Sequence, residues 1–184
     1  MTPLVRVILL LLLCLGAGRA DAIAPWQGLR HGMTQEQVRQ RFPQAQVPGE
    51  PAVLADGAFE GLRLEGIELA GRPATAAFYF GHDGLVQVDA TLDDRPARAV
   101  GMQVFEAIAR DLTATHGQPH AQEWTHAPWQ RRRMEWRVER VPLRALYTDM
   151  GETSLVKVIW QARVPEAPEG PRLDSPTMNG PSGR

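Results

Sequence analysis

Apolar positions along the chain fall into two patterns, one with helical spacing and one with strand alternation, and the pair recurs. In WQGLRHGMTQEQVRQRFPQAQ (26–46), Val38 and Phe42 lie one helical turn apart and Met33 stands just before the polar Thr34. Thr34 followed by Gln37 is a capping box, with Met33 and Val38 at the two staple positions. Pro43 ends the helix, because the residue before a proline avoids helical angles. So short a helix is marginal alone and must dock through Met33, Val38 and Phe42.

LRLEGIELAG (62–71), PATAAFYFG (73–81) and LVQVDATL (85–92) are β-prone runs separated by turn residues. Ala76, Phe78 and Phe80 share one face of the second run; Val86, Val88, Ala90 and Leu92 share one face of the third. His82-Asp83-Gly84 between them suits a hairpin, so an antiparallel meander is predicted. Asp93, Asp94 and Pro96 then mark the first turn of a second helix, with Val100, Val104, Phe105, Ile108 and Leu112 as its apolar stripe. His116 falls in its last turn, and Gly117 and Pro119 end it. Gly101 costs a helix interior about 1 kcal/mol against alanine, which predicts a start near Met102.

Strand alternation returns in RRMEWRVER (132–140), where Met134, Trp136 and Val138 face one way and Arg133, Glu135, Arg137 and Glu139 the other. PLRALYTD (142–149) and SLVKVIWQA (154–162) continue it, with Val156, Val158 and Trp160 aligned. Helix, strands, helix, strands is a weak internal repeat, judged by element order. The predicted fold is α+β, an antiparallel sheet with helices packed on one face. It is expected as two tandem helix-plus-meander units, about 26–92 and 93–163, in a single domain over 23–163. The other sheet face is then either solvated or a binding surface.

Gly32-Met33-Thr34 followed by Val38, a short helix and a meander resembles the start of the small bacterial envelope modules of the SmpA/OmlA type. Doubling of such a unit is similar to the β-lactamase-inhibitor-protein architecture. The motif covers residues 28–43, and the rest matches in element order alone. The resemblance implies a non-enzymatic binding or assembly module. No catalytic residue carries over, and Met33, Thr34 and Val38 do so only as structural positions. The chain departs from those lipoproteins in lacking a lipid-anchor cysteine and in having Phe42-Pro43 where they tend to have a glycine turn.

The opening MTPLVRVILLLLLCLGAGRADA adds a location. Arg6, an apolar run from Val7 to Leu15 and small residues through Ala20-Asp21-Ala22 have the form of a secretory signal over 1–22. Cleavage is expected after Ala22, or after Ala20 as the alternative, giving a periplasmic or secreted protein. Gly16, Gly18 and Arg19 interrupt the run too early for a membrane span. Cys14, the single cysteine, lies inside the apolar run behind Leu11-Leu12-Leu13, so no lipid anchor is expected, and the mature chain gains no disulfide. Residues 164–184, rich in proline, glycine and polar residues, read as a disordered tail. The formal net charge of -1 and the export signal tell against a nucleic-acid partner.

Candidate chemistry is sparse. Ser154 is the one serine between the leader and the tail, and Gly151-Glu152-Thr153-Ser154-Leu155 is no nucleophile elbow. Asp93-Asp94 suit a helix start, and Glu135 and Glu139 a solvated strand face, so neither pair implies acid–base catalysis. His116, His120, Glu123 and His126 are the best metal candidates, of a kind suited to zinc or copper. Gly117 and Pro119 break the helix that would align them, which favours an exposed charged loop with no metal or cofactor.

Recognition is the better-supported class, since tryptophan and arginine dominate binding hot spots. Trp136 alternates with Met134 and Val138 and reads as core, whereas Trp124 and Trp129 flank Pro128 in a polar loop over 120–133, beside Arg131, Arg132 and Arg133. The expected function is therefore a non-enzymatic exported module binding another envelope or secreted protein, as an inhibitor, immunity or assembly factor. The alternative is a metal-binding or metal-responsive envelope protein using His116, His120 and His126.

Overall fold

A computed structural model describes residues 26–126 and 129–161. The leader with Cys14, the tail over 164–184 and Pro128 lie outside the described residues. Among these residues two helices, α1 (Gln35–Arg41) and α2 (Arg98–His116), accompany seven strands: β1 (Phe59–Leu69), β2 (Arg72–Gly81), β3 (Gly84–Leu92), β4 (Ala121–Thr125), β5 (Arg131–Val138), β6 (Val141–Asp149) and β7 (Ser154–Gln161). The strands form one sheet in the order β1-β2-β3-β7-β6-β5-β4, antiparallel throughout. The class is α+β and dominated by the sheet. No helix among the described residues is long and apolar enough to cross a membrane.

Helix α1 forms as its capping signals dictate. The Gln37 amide donates to Thr34 Oγ1 at 3.2 Å, and the Thr34 amide donates to Gln37 Oε1 at 2.9 Å. Val38 is fully buried, and the Phe42 ring centroid lies 5.5 Å from that of Phe78. The meander β1-β2-β3 also follows the predicted runs, and Gly84 takes the positive φ that its hairpin needs.

Helix α2 departs from expectation at its start. It begins at Arg98, not near Met102, and Asp93, Asp94 and Pro96 precede it. Asp93 instead accepts from Thr75 Oγ1 at 2.7 Å, and Asp94 pairs with Arg72. Ala97 caps the helix with no side-chain hydrogen bond. Tertiary bonds do that work: the Arg98 amide donates to Glu152 O at 3.2 Å, and Pro96 O accepts from both the Ser154 amide and Ser154 Oγ. Gly101 is buried in the helix interior, and Val100, assigned to the apolar stripe by its spacing, is 39% exposed.

Register places the core. Residues paired across antiparallel strands share a face, so Phe78, Val88, Trp160, Leu143 and Trp136 form one row and Ala76, Ala90, Val158, Ala145 and Met134 the next. Both helices cover this face, α1 through Phe42 on Phe78 and α2 through Phe105, whose ring lies 6.2 Å from Tyr147. Trp136 is buried, as its alternation predicts, and its Nε1 donates to Gly117 O at 3.0 Å.

The two sheet edges are treated differently. Bridges from Gln46 to Arg63 and from Val53 to Phe59 lay the preceding chain along β1. Glu60, buried to 2% exposure, fastens that chain by accepting from the Ala52 amide at 3.1 Å while Arg63 donates to both its oxygens. At the other edge, no described residue pairs with the outer side of β4.

Candidate functional site

The free edge adjoins a groove of about 750 Å³ between α2 and the strands β4 and β5. Phe105, Ala109 and Met134 give it an apolar lining; Glu106, Arg110, Trp124 and Arg132 line it as well. Its origin is topological. Helix α2 crosses β5, β6 and β7, so the last strand of the sheet extends past the helix and its inward side chains are left uncovered. Met134, read from the sequence as core, is consequently half-buried and forms part of the wall.

The predicted loop over 120–133 is instead the β4–β5 hairpin. Ala121–Thr125 pairs with Arg131–Glu135, and Trp124 stands directly opposite Arg132 on the face that α2 covers elsewhere. That pairing brings the Arg132 guanidinium to 3.4 Å from the centre of the Trp124 ring. A cation held over an aromatic face is worth about 0.5–1 kcal/mol when exposed and more when desolvated. Here the ring is 48% exposed while Arg132 is half-buried. Arg132 Nη1 also donates to Glu106 Oε1 at 3.3 Å, and its buried Nε has no acceptor. His126 stacks on Trp124, with centroids 5.1 Å apart.

The remaining candidates separate. Arg133 lines the groove and reaches Glu123 at 3.7 Å. Arg131 is exposed at the start of β5 and Trp129 is 50% exposed before it, and neither is part of the groove wall. His116 ends α2, where burial holds its imidazole below the ordinary value. His120 Nε2 lies 3.2 Å from Glu135 Oε1. Among the described residues, no three histidine or acidic side chains stand close enough to share a metal ion, so the three histidines do not meet.

Glu135 is not the solvated strand glutamate that its alternation with arginines suggested. Its side chain is 12% exposed, and Arg144 Nε donates to it at 2.7 Å. Burial raises its pKa, but the Arg144 hydrogen bond and the charges of Arg144, His120 and Arg133 outweigh burial and leave it lowered. Elsewhere on that face, Lys157 Nζ donates to Asp89 Oδ2 at 2.9 Å. Tyr79 is pushed up to about 12, first by burial and then by Asp89 and Glu60, which leaves it a neutral phenol. Ser154 is fully buried and donates to Pro96 O at 3.0 Å, a bond that holds the start of α2 to β7.

Glu106 and Arg110 escaped the sequence reading. On α2 they belong to the polar side, and only the α2–β5 packing brings them to the same groove as Trp124. The signal available was Trp124 and Arg132 at equal distances from the centre of a short hairpin. Comparison with protein-family models, curated proteins and solved structures gives no match to this chain.

Proposed function

We infer that the chain is a non-enzymatic, exported recognition module that grips another envelope or secreted protein through the α2–β4–β5 groove. The observation that carries this reading is Trp124: a large aromatic side chain half in solvent, in contact with Arg132 and His126 and lining a groove with Phe105, Ala109 and Met134. Rigid aromatic and arginine anchors beside a hydrophobic recess are what binding hot spots are made of. Trp129 and Arg131 are exposed near Trp124 in sequence, outside the groove.

Two features of the sequence support location and descent. The leader over 1–22 has the form of a secretory signal. The order of elements, one helix and a meander followed by another, supports two tandem units at about 26–92 and 93–163, in keeping with the resemblance of residues 28–43 to envelope modules of the SmpA/OmlA type. An inhibitor, immunity or assembly role fits such a module.

The test compares the tagged mature protein with Trp124→Ala and Arg132→Ala variants as bait for periplasmic extract. Each substitution should weaken capture of a specific partner by on the order of 2 kcal/mol while the fold persists. Equal capture by all three baits would remove the groove as the contact surface. Intact mass of the exported chain tests location, with a mature start at Ile23, or at Asp21 after the alternative cleavage.

A further inference from the structure

The groove has one more property that a side-chain anchor does not need: it runs beside the backbone of an unpaired edge strand. β1 is covered by the bridges to Gln46 and Val53, whereas β4 ends the sheet with no described residue along its outer side. A strand added there would complete its hydrogen bonding, and every second side chain would share the face of Trp124 and drop toward Phe105 and Met134. The charge around the edge is unbalanced. Arg110, Arg132 and Arg133 line the groove against Glu106 and Glu123; on the other face of the hairpin Arg131 and Arg133 stand with Glu123 and Glu135, and Glu135 is already held by Arg144. Arg110 and Arg131 make no ion pair with a described residue.

We propose that β4 accepts an extended acidic segment of the partner protein as an eighth strand, with alternate apolar side chains seated in the groove and the carboxylates between and beside them meeting the arginines. This rests on the recognition reading above and specifies its chemistry. The short length of β4 fits a transient addition; a long flat edge would pair indiscriminately.

Four synthetic seven-residue peptides test it against the full mature chain. The first alternates glutamate with valine and leucine. The second replaces every glutamate by lysine, and the third and fourth keep the first sequence but carry N-methyl groups on alternate amides in the two possible registers, each of which blocks ladder hydrogen bonds along one side. Calorimetry and amide chemical shifts should show the first peptide binding with a Kd on the order of 0.1 mM, shifting Ala121–Thr125. The lysine and the N-methyl peptides with the methyl groups on the pairing side should each lose roughly tenfold, as should the first peptide against Trp124→Ala.

Equal binding of the first peptide and both N-methyl registers overturns strand addition while leaving side-chain recognition by the groove standing. Equal binding of the lysine peptide overturns the acidic assignment. Absence of binding by the glutamate peptide at 1 mM, or shifts confined to other strands, overturns the proposal entirely. The recognition reading fails separately, when Trp124→Ala and Arg132→Ala baits capture partners as well as the unaltered protein.

Discussion

Gly101 and Ser154 are packed so closely that a Cβ built on Gly101 would overlap the Ser154 hydroxyl. The contact joins the first turn of α2 to the first residue of β7, and Ser154 is held in place by its bonds to Pro96. A residue that lowers helix propensity is therefore what allows the helix to start where it does.

Gly101→Ala should destabilise the protein. Improved helix propensity contributes about 1 kcal/mol, but overpacking against a fixed side chain costs about 1–3 kcal/mol. Urea denaturation checks the sign, and Ser154→Gly in the same chain should recover part of the loss. A more stable Gly101→Ala protein would show that α2 and β7 separate easily.

The tryptophans should divide by position. Trp136→Ala removes a buried indole and its bond to Gly117, at a cost of about 3–5 kcal/mol. Trp124→Ala and Trp129→Ala should cost less than about 1 kcal/mol, since both rings are half-exposed. Melting curves of the three variants make the comparison, and unfolding by either exposed-site variant contradicts it.

Acid should weaken the fold in two stages. The folded state holds His116 below its ordinary 6.5, so as pH falls past that value the unfolded chain takes up the proton first and stability declines until the folded value is reached. Glu135, lowered from 4.5, contributes stability that is present above that value and is lost as pH falls through its folded value. His116→Gln should flatten the stability profile just below pH 6.5, and Glu135→Gln should flatten it below 4.5. Unchanged slopes in urea titrations across this range would disprove the linkage.

The β5–β6 hairpin should be improvable. Val138 and Val141 pair across a two-residue turn in which Glu139 and Arg140 have φ of 49° and 73°. Positive φ at both positions marks the turn that favours Asn-Gly. Glu139→Asn with Arg140→Gly should raise stability by about 1–2 kcal/mol. A lower melting temperature would mean that the two charged side chains have contacts worth more than the strain.

What was legible in the sequence was local. Thr34, Gln37 and Val38 specify a capped helix within five residues, and the alternation of Met134, Trp136 and Val138 specifies a strand whatever surrounds it. Three features needed distant partners. The start of α2 depends on Ser154 and Glu152, more than fifty residues away. β4 has a single large apolar residue because its inward face lies beyond the helix, so it lacked the alternation that marks a covered strand. The chain along β1 is rich in turn residues, and it is held by backbone bridges at Gln46 and Val53 and by the buried carboxylate of Glu60, none of which has a local pattern. The groove is the joint product of these long-range placements, and so only Trp124 and its neighbouring arginines could be singled out beforehand.

Strand β7 is the last of the seven in sequence yet lies in the middle of the sheet, between β3 and β6. Without it the other strands would form two separate sheets, each with an open border, and α2 would lack part of its footing. Closing the sheet must therefore wait for the last of these strands, and pairings between distant strands such as β3 with β7 are the slow kind. During that interval the exposed borders of β3 and β6 can recruit other chains as readily as their own final strand. A chaperone that shields those borders would thus matter more to this protein's yield than to its final stability.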